Sequence, residues 1–168
     1  MISNSEFMTP NIQLDPFDRR IITELTLDAR IPYVKLAKKL GVSNTFIHQR
    51  IKKLKDMEVL KNASFYLDPW KLGFQTSAYT QIMLENSNFH RNVESQLSEI
   101  PEITECVNIA GRYAILVKIY AINNRHLRNI IYEKIHPIKG VEGTNTTISF
   151  ETAFRRNIPI PDDSMKDF

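Results

Sequence analysis

Residues 31–55 read IPYVKLAKKLGVSNTFIHQRIKKLK, and the order of residue types in this stretch specifies a short helix, a glycine turn and a second helix. Leu36, Ala37 and Leu40 recur at helical spacing, Gly41 can take the positive φ that ends a helix, and Ser43 can accept a bond from the free N–H groups of the next one. The turn is therefore Gly41-Val42-Ser43. Ala37 is small where two steeply crossing helices need close backbone approach, and Ile47 points back at the crossing. Unrolled at about 100° per residue, the second helix gathers Ile47, Ile51 and Leu54 into one stripe and sends Thr45, His48, Gln49, Lys52 and Lys53 to the opposite side.

This pattern is a helix-turn-helix, with the aliphatic stripe inward and a polar, basic face outward. Ser43 and Asn44 open that face. Thr45, His48 and Gln49 have side chains able to exchange hydrogen bonds with base edges in a major groove, whereas Arg50, Lys52, Lys53 and Lys55 suit phosphates, which position a protein without reading sequence. An ordinary amphipathic helix with a solvated basic face would give the same stripe. The charge distribution bears on the choice. Residues 1–75 hold 12 Lys and Arg against 8 Asp and Glu, while 76–168 hold 10 against 11. A net charge of +3 is too small to argue nucleic-acid binding alone, but its concentration around the helix pair agrees with an electrostatic footprint on double-stranded DNA.

At 168 residues, 42% hydrophobic and 24% charged, the chain has the composition of a soluble protein of one or two small domains. Its single cysteine, Cys106, has no partner for an intramolecular disulfide. Beside Val107 and Ile109 it is expected to be a small buried strand residue in a reducing cytoplasm. No apolar run is long enough to span a bilayer, and the N-terminus lacks the order of a signal peptide. Residues 1–13 are polar and aperiodic and are expected to form a flexible N-terminus.

Asp15-Pro16 can start a helix, the acid capping and the proline in the first turn, with Phe17, Ile21, Ile22 and Leu25 on one face. A DNA-binding domain over 14–61 follows, in a winged-helix-like arrangement. Residues 62–75 are expected to supply a strand, Asn62 to Leu67, and a linker through Asp68-Pro69. From Thr76 the period becomes strand-like. Thr76–Leu84 alternates, Asn88 can cap a helix carrying Phe89, Val93, Leu97 and Ile100, and Thr104–Ile109 and Arg112–Tyr120 read as a hairpin hinged at Ala110-Gly111. Asn124 starts a second helix with Leu127, Ile130, Ile131 and Ile135 inward. Gly140 ends that region, Thr144–Glu151 supplies the last strand, and 153–168 form a C-terminal tail. The order β-α-β-β-α-β over 76–152 is the ferredoxin-like split, so the fold class is α+β. Strands rich in β-branched residues on both sides, such as Ile115, Val117 and Ile119 against Leu116 and Tyr120, do not suit a sheet with one wet face. Self-association would cover it, and a twofold dimer would present two reading helices to a palindrome.

Leu14-Asp15 with Asp18 and Ile21, then Asp28, Arg30-Ile31, Leu36-Ala37, Gly41-Val42-Ser43, Arg50-Ile51, Leu54, Leu67-Asp68-Pro69 and Leu72-Gly73 together resemble the Lrp/AsnC (feast/famine) family of transcription regulators. Residues 76–151 resemble that family's effector and oligomerisation domain. The resemblance implies a DNA-binding domain joined to a domain that builds dimers, often octamers, and binds an amino acid or related small molecule between subunits. It places the effector region at Gly111-Arg112-Tyr113-Ala114 and at the start of the last strand, Thr144-Asn145-Thr146-Thr147. Gly111 could let a ligand carboxylate approach the backbone, and Arg112, Tyr113 or the hydroxyls of Thr144 and Thr146 could hold it. Family members commonly carry an acid where this chain has Ala114, so recognition of an amino group lacks its usual partner.

Catalysis finds little support. His48, His90, His126 and His136 are not spaced as metal pairs on one helix face, there is no glycine-rich phosphate loop, and no cofactor is expected beyond an amino-acid effector. Arg112 and Asn108 would suit hydrolysis of an acyl phosphate on a ferredoxin-like sheet, but the DNA-binding unit argues against an enzyme. A ligand-responsive regulator is the favoured reading, with a DNA-organising protein blind to small molecules as the alternative.

Overall fold

The computed structural model describes residues 14–61 and 65–161. The chain divides into two compact units, Tyr66–Arg155 and the described residues on either side of it.

The first unit is built by three helices whose ends obey local rules. Helix α1, Pro16–Leu27, starts at Asp15, whose Oδ1 accepts the Asp18 N–H at 2.8 Å while Asp18 Oδ2 accepts the Asp15 N–H at 3.3 Å, a reciprocal cap. Helix α2, Tyr33–Leu40, closes on Gly41 at φ +71°, and the Val42 N–H returns to the Ala37 carbonyl at 3.0 Å. Helix α3, Asn44–Asp56, is capped by Ser43 Oγ, which accepts the Phe46 N–H at 3.1 Å. Ile21, Ile22, Leu36, Ala37, Leu40, Ile47, Ile51 and Leu54 form the buried core, and Ile160 of the C-terminal segment packs against it. Of the strand expected at Asn62 to Leu67, residues 62–64 lie outside the described residues, and Phe65 to Leu67 are not in a strand. No wing is therefore seen among the described residues.

The second unit has strand β1, Thr76–Leu84, helix α4, His90–Ser98, strands β2, Ile103–Asn108, and β3, Ile115–Ala121, helix α5, Asn124–Asn129, and strand β4, Val141–Ser149. The antiparallel sheet runs β2-β3-β1-β4. Ala78, Ile82, Val117 and Ile119 on one face meet Val93, Leu97, Leu127, Ile130 and Ile135 from the helices. Registers Ser77↔Tyr120, Tyr79↔Lys118 and Gln81↔Leu116 line the other face, as alternation along a pleated strand requires. This is the expected split order. Among the described residues, no helix is long and apolar enough to cross a membrane.

Several boundaries differ from the sequence expectation. Asn86, not Asn88, caps the entry to α4, because a single 3₁₀ turn at Ser87–Phe89 precedes it. The β2–β3 connection is a six-residue loop closed by Ile109 N–H to Ala114 O at 2.9 Å, so Arg112, Tyr113 and Ala114 lie outside the strand. Helix α5 does start at Asn124, capped by Asn123, but it widens into π-helical turns over Ile130–Ile135. The last strand begins at Val141 and ends at Ser149. Cys106 is exposed because β2 is an edge strand. Partial desolvation, with the nearby Glu94 carboxylate, pushes its thiol up, which weakens it as a nucleophile.

Candidate nucleic-acid interface and ligand-binding unit

On α3, the inward stripe of Ile47, Ile51 and Leu54 leaves Ser43, Asn44, Thr45, His48, Gln49 and Lys52 exposed together. Aromatic contacts set the attitude of the helix. Phe46 meets Phe17 edge-on, with ring centroids 5.5 Å apart, and His48 meets Tyr33 edge-on at 4.8 Å. Six of the eight residues expected to face DNA thus share one surface, with the hydrogen-bonding side chains near the helix N-terminus where a groove can receive them.

Arg50 and Lys53 depart from that expectation. The Arg50 guanidinium pairs with Asp15 and lies 3.3 Å from Asp18 Oδ1, while Lys53 Nζ stands 3.4 Å from Asp18 Oδ2. The spacing of Arg50 and Lys53 turns both toward α1, where a completely buried carboxylate waits for them. Arg50 ties α3 to α1 and is also stacked over the Phe46 ring at 4.9 Å, whereas the Lys53 side chain remains exposed. Burial would raise the Asp15 carboxyl, but the Asp18 N–H and the Arg50 guanidinium outweigh it and hold the group below the usual carboxylate range. Asp18 was the residue missed as a structural ion. Its signal was an acid three residues after an Asp cap, with two cations three apart on another helix.

In the second unit, Ile115 and Thr144 both stand opposite Ile82, one on each side of β1. The loop holding Gly111, Arg112 and Tyr113 therefore shares a sheet end with Thr144, at two strand spacings, about 10 Å. Gly111 has φ +131° and open space where a Cβ would stand. Arg112 is exposed and Tyr113 half-buried. Both threonine hydroxyls have internal partners: Thr144 Oγ1 lies 2.9 Å from His136 Nε2, and Thr146 Oγ1 lies 2.9 Å from Thr80 Oγ1.

Residues 14–55 match the AsnC-type helix-turn-helix domain and residues 77–159 match the Lrp/AsnC ligand binding domain. The regulatory protein AsnC of Haemophilus influenzae is 30% identical over 145 residues, covering 86% of this chain and 97% of that one. The chain belongs to the Lrp/AsnC family. The HTH-type transcriptional regulator FL11 of Pyrococcus horikoshii is 34% identical over 141 residues, 84% of this chain and 92% of that protein. The solved structure of AsnC from E. coli superposes with a TM-score of 0.81 at 29% identity, covering 87% of this chain and 98% of that one.

As an Lrp/AsnC member the protein is a DNA-binding transcription regulator and not an enzyme. The four histidines are spent separately. His48 meets Tyr33 edge-on, His90 faces Glu94 at 3.7 Å, His126 faces Glu102 at 3.3 Å and His136 meets Thr144. Asn108, considered for acyl-phosphate chemistry, donates to Glu94 Oε1 at 2.9 Å.

Proposed function

We propose that this Lrp/AsnC regulator reads its operator with Thr45, His48 and Gln49, sets its register through Ser43, Asn44 and Lys52 on the phosphates, and answers to an amino acid or related small molecule held between subunits. The single observation that carries the reading is the joint exposure of these six residues on a helix whose other side is locked by Ile47, Ile51, Leu54 and the Arg50–Asp18 pair. Two copies joined over the open sheet face would present two such helices to a palindrome, and an octamer would repeat that dimer, in the cytoplasm. Gly111, Arg112, Tyr113, Thr144 and Thr146 form the effector end, with Arg112 supplying a guanidinium for a carboxylate.

Sequencing the DNA fragments retained by the purified protein tests the first half: a symmetric half-site is expected, and fragments sharing no sequence would refute it. Gln49→Ala is expected to relax choice at one base pair by about 1–3 kcal/mol. Lys52→Ala should weaken all sequences alike and lower the salt slope by about one. His48→Ala is a less clean probe because it also removes the contact with Tyr33.

A DNA-organising protein blind to small molecules is the second reading. Ala114 offers no carboxylate to an amino group, and both candidate threonine hydroxyls already have partners within the unit. Thermal stability against a panel of amino acids separates the two. A ligand of the native state at about one hundred times its Kd adds about 2.7 kcal/mol, and this shift should vanish in Arg112→Ala. A flat panel would favour the second reading.

A further inference from the structure

Thr45, His48 and Gln49 are the proposed base readers, and of these only His48 is held from outside its own helix. Among the described residues, the side chains of Thr45 and Gln49 make no hydrogen bond, ion pair or ring contact, whereas His48 meets the Tyr33 ring edge-on, with centroids 4.8 Å apart and planes at 76°. Neither ring nitrogen of His48 has a hydrogen-bond partner among those residues, so the contact orients the imidazole and leaves free the atoms that a base edge needs.

The two rings differ in how firmly they are seated. Tyr33 is the first residue of α2, directly after Pro32 at φ −58°, and the Leu36 N–H closes the turn on the Pro32 carbonyl at 3.0 Å. The proline fixes the backbone from which Tyr33 springs, and the Tyr33 side chain is half-buried against the core that Leu36, Ile47 and Ile51 build. His48 is exposed. A surface imidazole samples several rotamers, and ordering it on a base edge costs entropy at the moment of binding. A seated ring edge-on to it favours one rotamer before DNA arrives. An edge-on pair is strong enough to shift such an equilibrium by about two- to tenfold. Control therefore runs from Tyr33 to His48.

We propose that Tyr33 is a specificity determinant of the DNA-binding unit: it aims the His48 imidazole at one base pair of each half-site, a role that presupposes His48 as a base reader. The contact joins the two helices of the motif, so the residue that opens α2 shapes what α3 reads.

Selection from a pool of duplexes with a random core of about 20 base pairs, enough for two half-sites one helical turn apart, tests it on the full chain. His48→Ala is expected to flatten base preference at one position of each half-site. Tyr33→Leu keeps an apolar side chain against the core and removes the ring; it should weaken preference at that same position by about two- to tenfold and leave the other positions and the salt dependence as in wild type. Tyr33→Phe keeps the ring and should retain the wild-type profile, because the hydroxyl has no partner among the described residues. Wild-type preference in Tyr33→Leu at the position where His48→Ala has lost it overturns the proposal and leaves the base-reading assignment standing. An equal loss at every position does the same, since Tyr33 would then be a packing residue only. A Tyr33→Phe profile matching that of Tyr33→Leu overturns it as well, because the hydroxyl and not the ring would be at work. A His48→Ala profile identical to wild type overturns both this role and the base-reading assignment. Should Tyr33→Leu not melt as wild type does, proton spectra of the free protein decide: the His48 ring signals are expected to be displaced by the neighbouring ring in wild type and in Tyr33→Phe, and signals at the positions of a freely rotating histidine overturn the proposal.

Discussion

Gly140→Ala is expected to lower the stability of the sheet-bearing unit by about 3 kcal/mol or more, the sum of overpacking and a strained backbone. Gly140 sits at φ +104°, and a Cβ built on it would overlap Cβ and Cγ of Phe89. Those atoms are the root of the ring and cannot swing away as a flexible side-chain end could. Phe89 packs against the core of the unit, and the Gly140 carbonyl accepts the Glu85 N–H at 3.0 Å, so neither partner is free to retreat. Gly111→Ala is the internal control. It has a positive φ of +131° but open space around it, so only the backbone penalty of about 1–2 kcal/mol applies. Urea midpoints of the two variants should therefore be well separated; closely similar midpoints would show that the Phe89 contact yields easily.

The comparison of these two glycines shows how far the chain could be read from its residues. That Gly140 ends a helical region follows from local rules, because a residue without Cβ marks a chain reversal. That Phe89, 51 positions earlier, closes on it is a tertiary fact with no local trace. The same division runs through the molecule. Helices α1 to α3 could be placed from Asp15-Pro16, Gly41 and Ser43, since caps act over three or four residues and the aliphatic stripe has a period that survives in sequence. β1 was legible for the matching reason, alternation over nine residues. The β2–β3 loop was not, because Arg112, Tyr113 and Ala114 carry strand-compatible side chains, and only the bond from Ile109 to Ala114 fixes where pairing stops. The π-helical widening at Ile130–Ile135 was hidden too, as its apolar spacing fits an α-helix as well. At the candidate sites, the exposed face of α3 could be read from the position of its buried stripe. The partners of Arg50 and Lys53 could not, because composition gives a basic residue the same look whether it meets a phosphate or a buried acid.

That last distinction yields a large effect at a position far from any base. Asp18 is fully buried and receives Arg50, Lys53 and the Asp15 N–H. Asp18→Ala removes all three at once and leaves Arg50 with the more exposed Asp15 alone. Losing one partner of a buried ion pair costs about 3–5 kcal/mol. Arg50 keeps some access to water, with a side chain 26% exposed, so the expected loss is smaller, about 2–3 kcal/mol. Asp18→Asn keeps an oxygen for the Asp15 N–H and should fall between alanine and wild type, whereas loss of the charge should dominate if the pairing with Arg50 is what matters. A double-mutant cycle with Arg50→Met isolates the pair, and a coupling of about 1–2 kcal/mol is expected from equilibrium unfolding. Because α3 is held to α1 through this carboxylate, operator affinity in Asp18→Ala should fall at temperatures where the unit begins to open and recover on cooling. Gln49→Ala should instead keep its deficit at every temperature. Additive single-mutant losses in the cycle, or an affinity deficit in Asp18→Ala that ignores temperature, would mean that Arg50 turns to the phosphates when DNA is bound and that its contact with Asp18 is incidental.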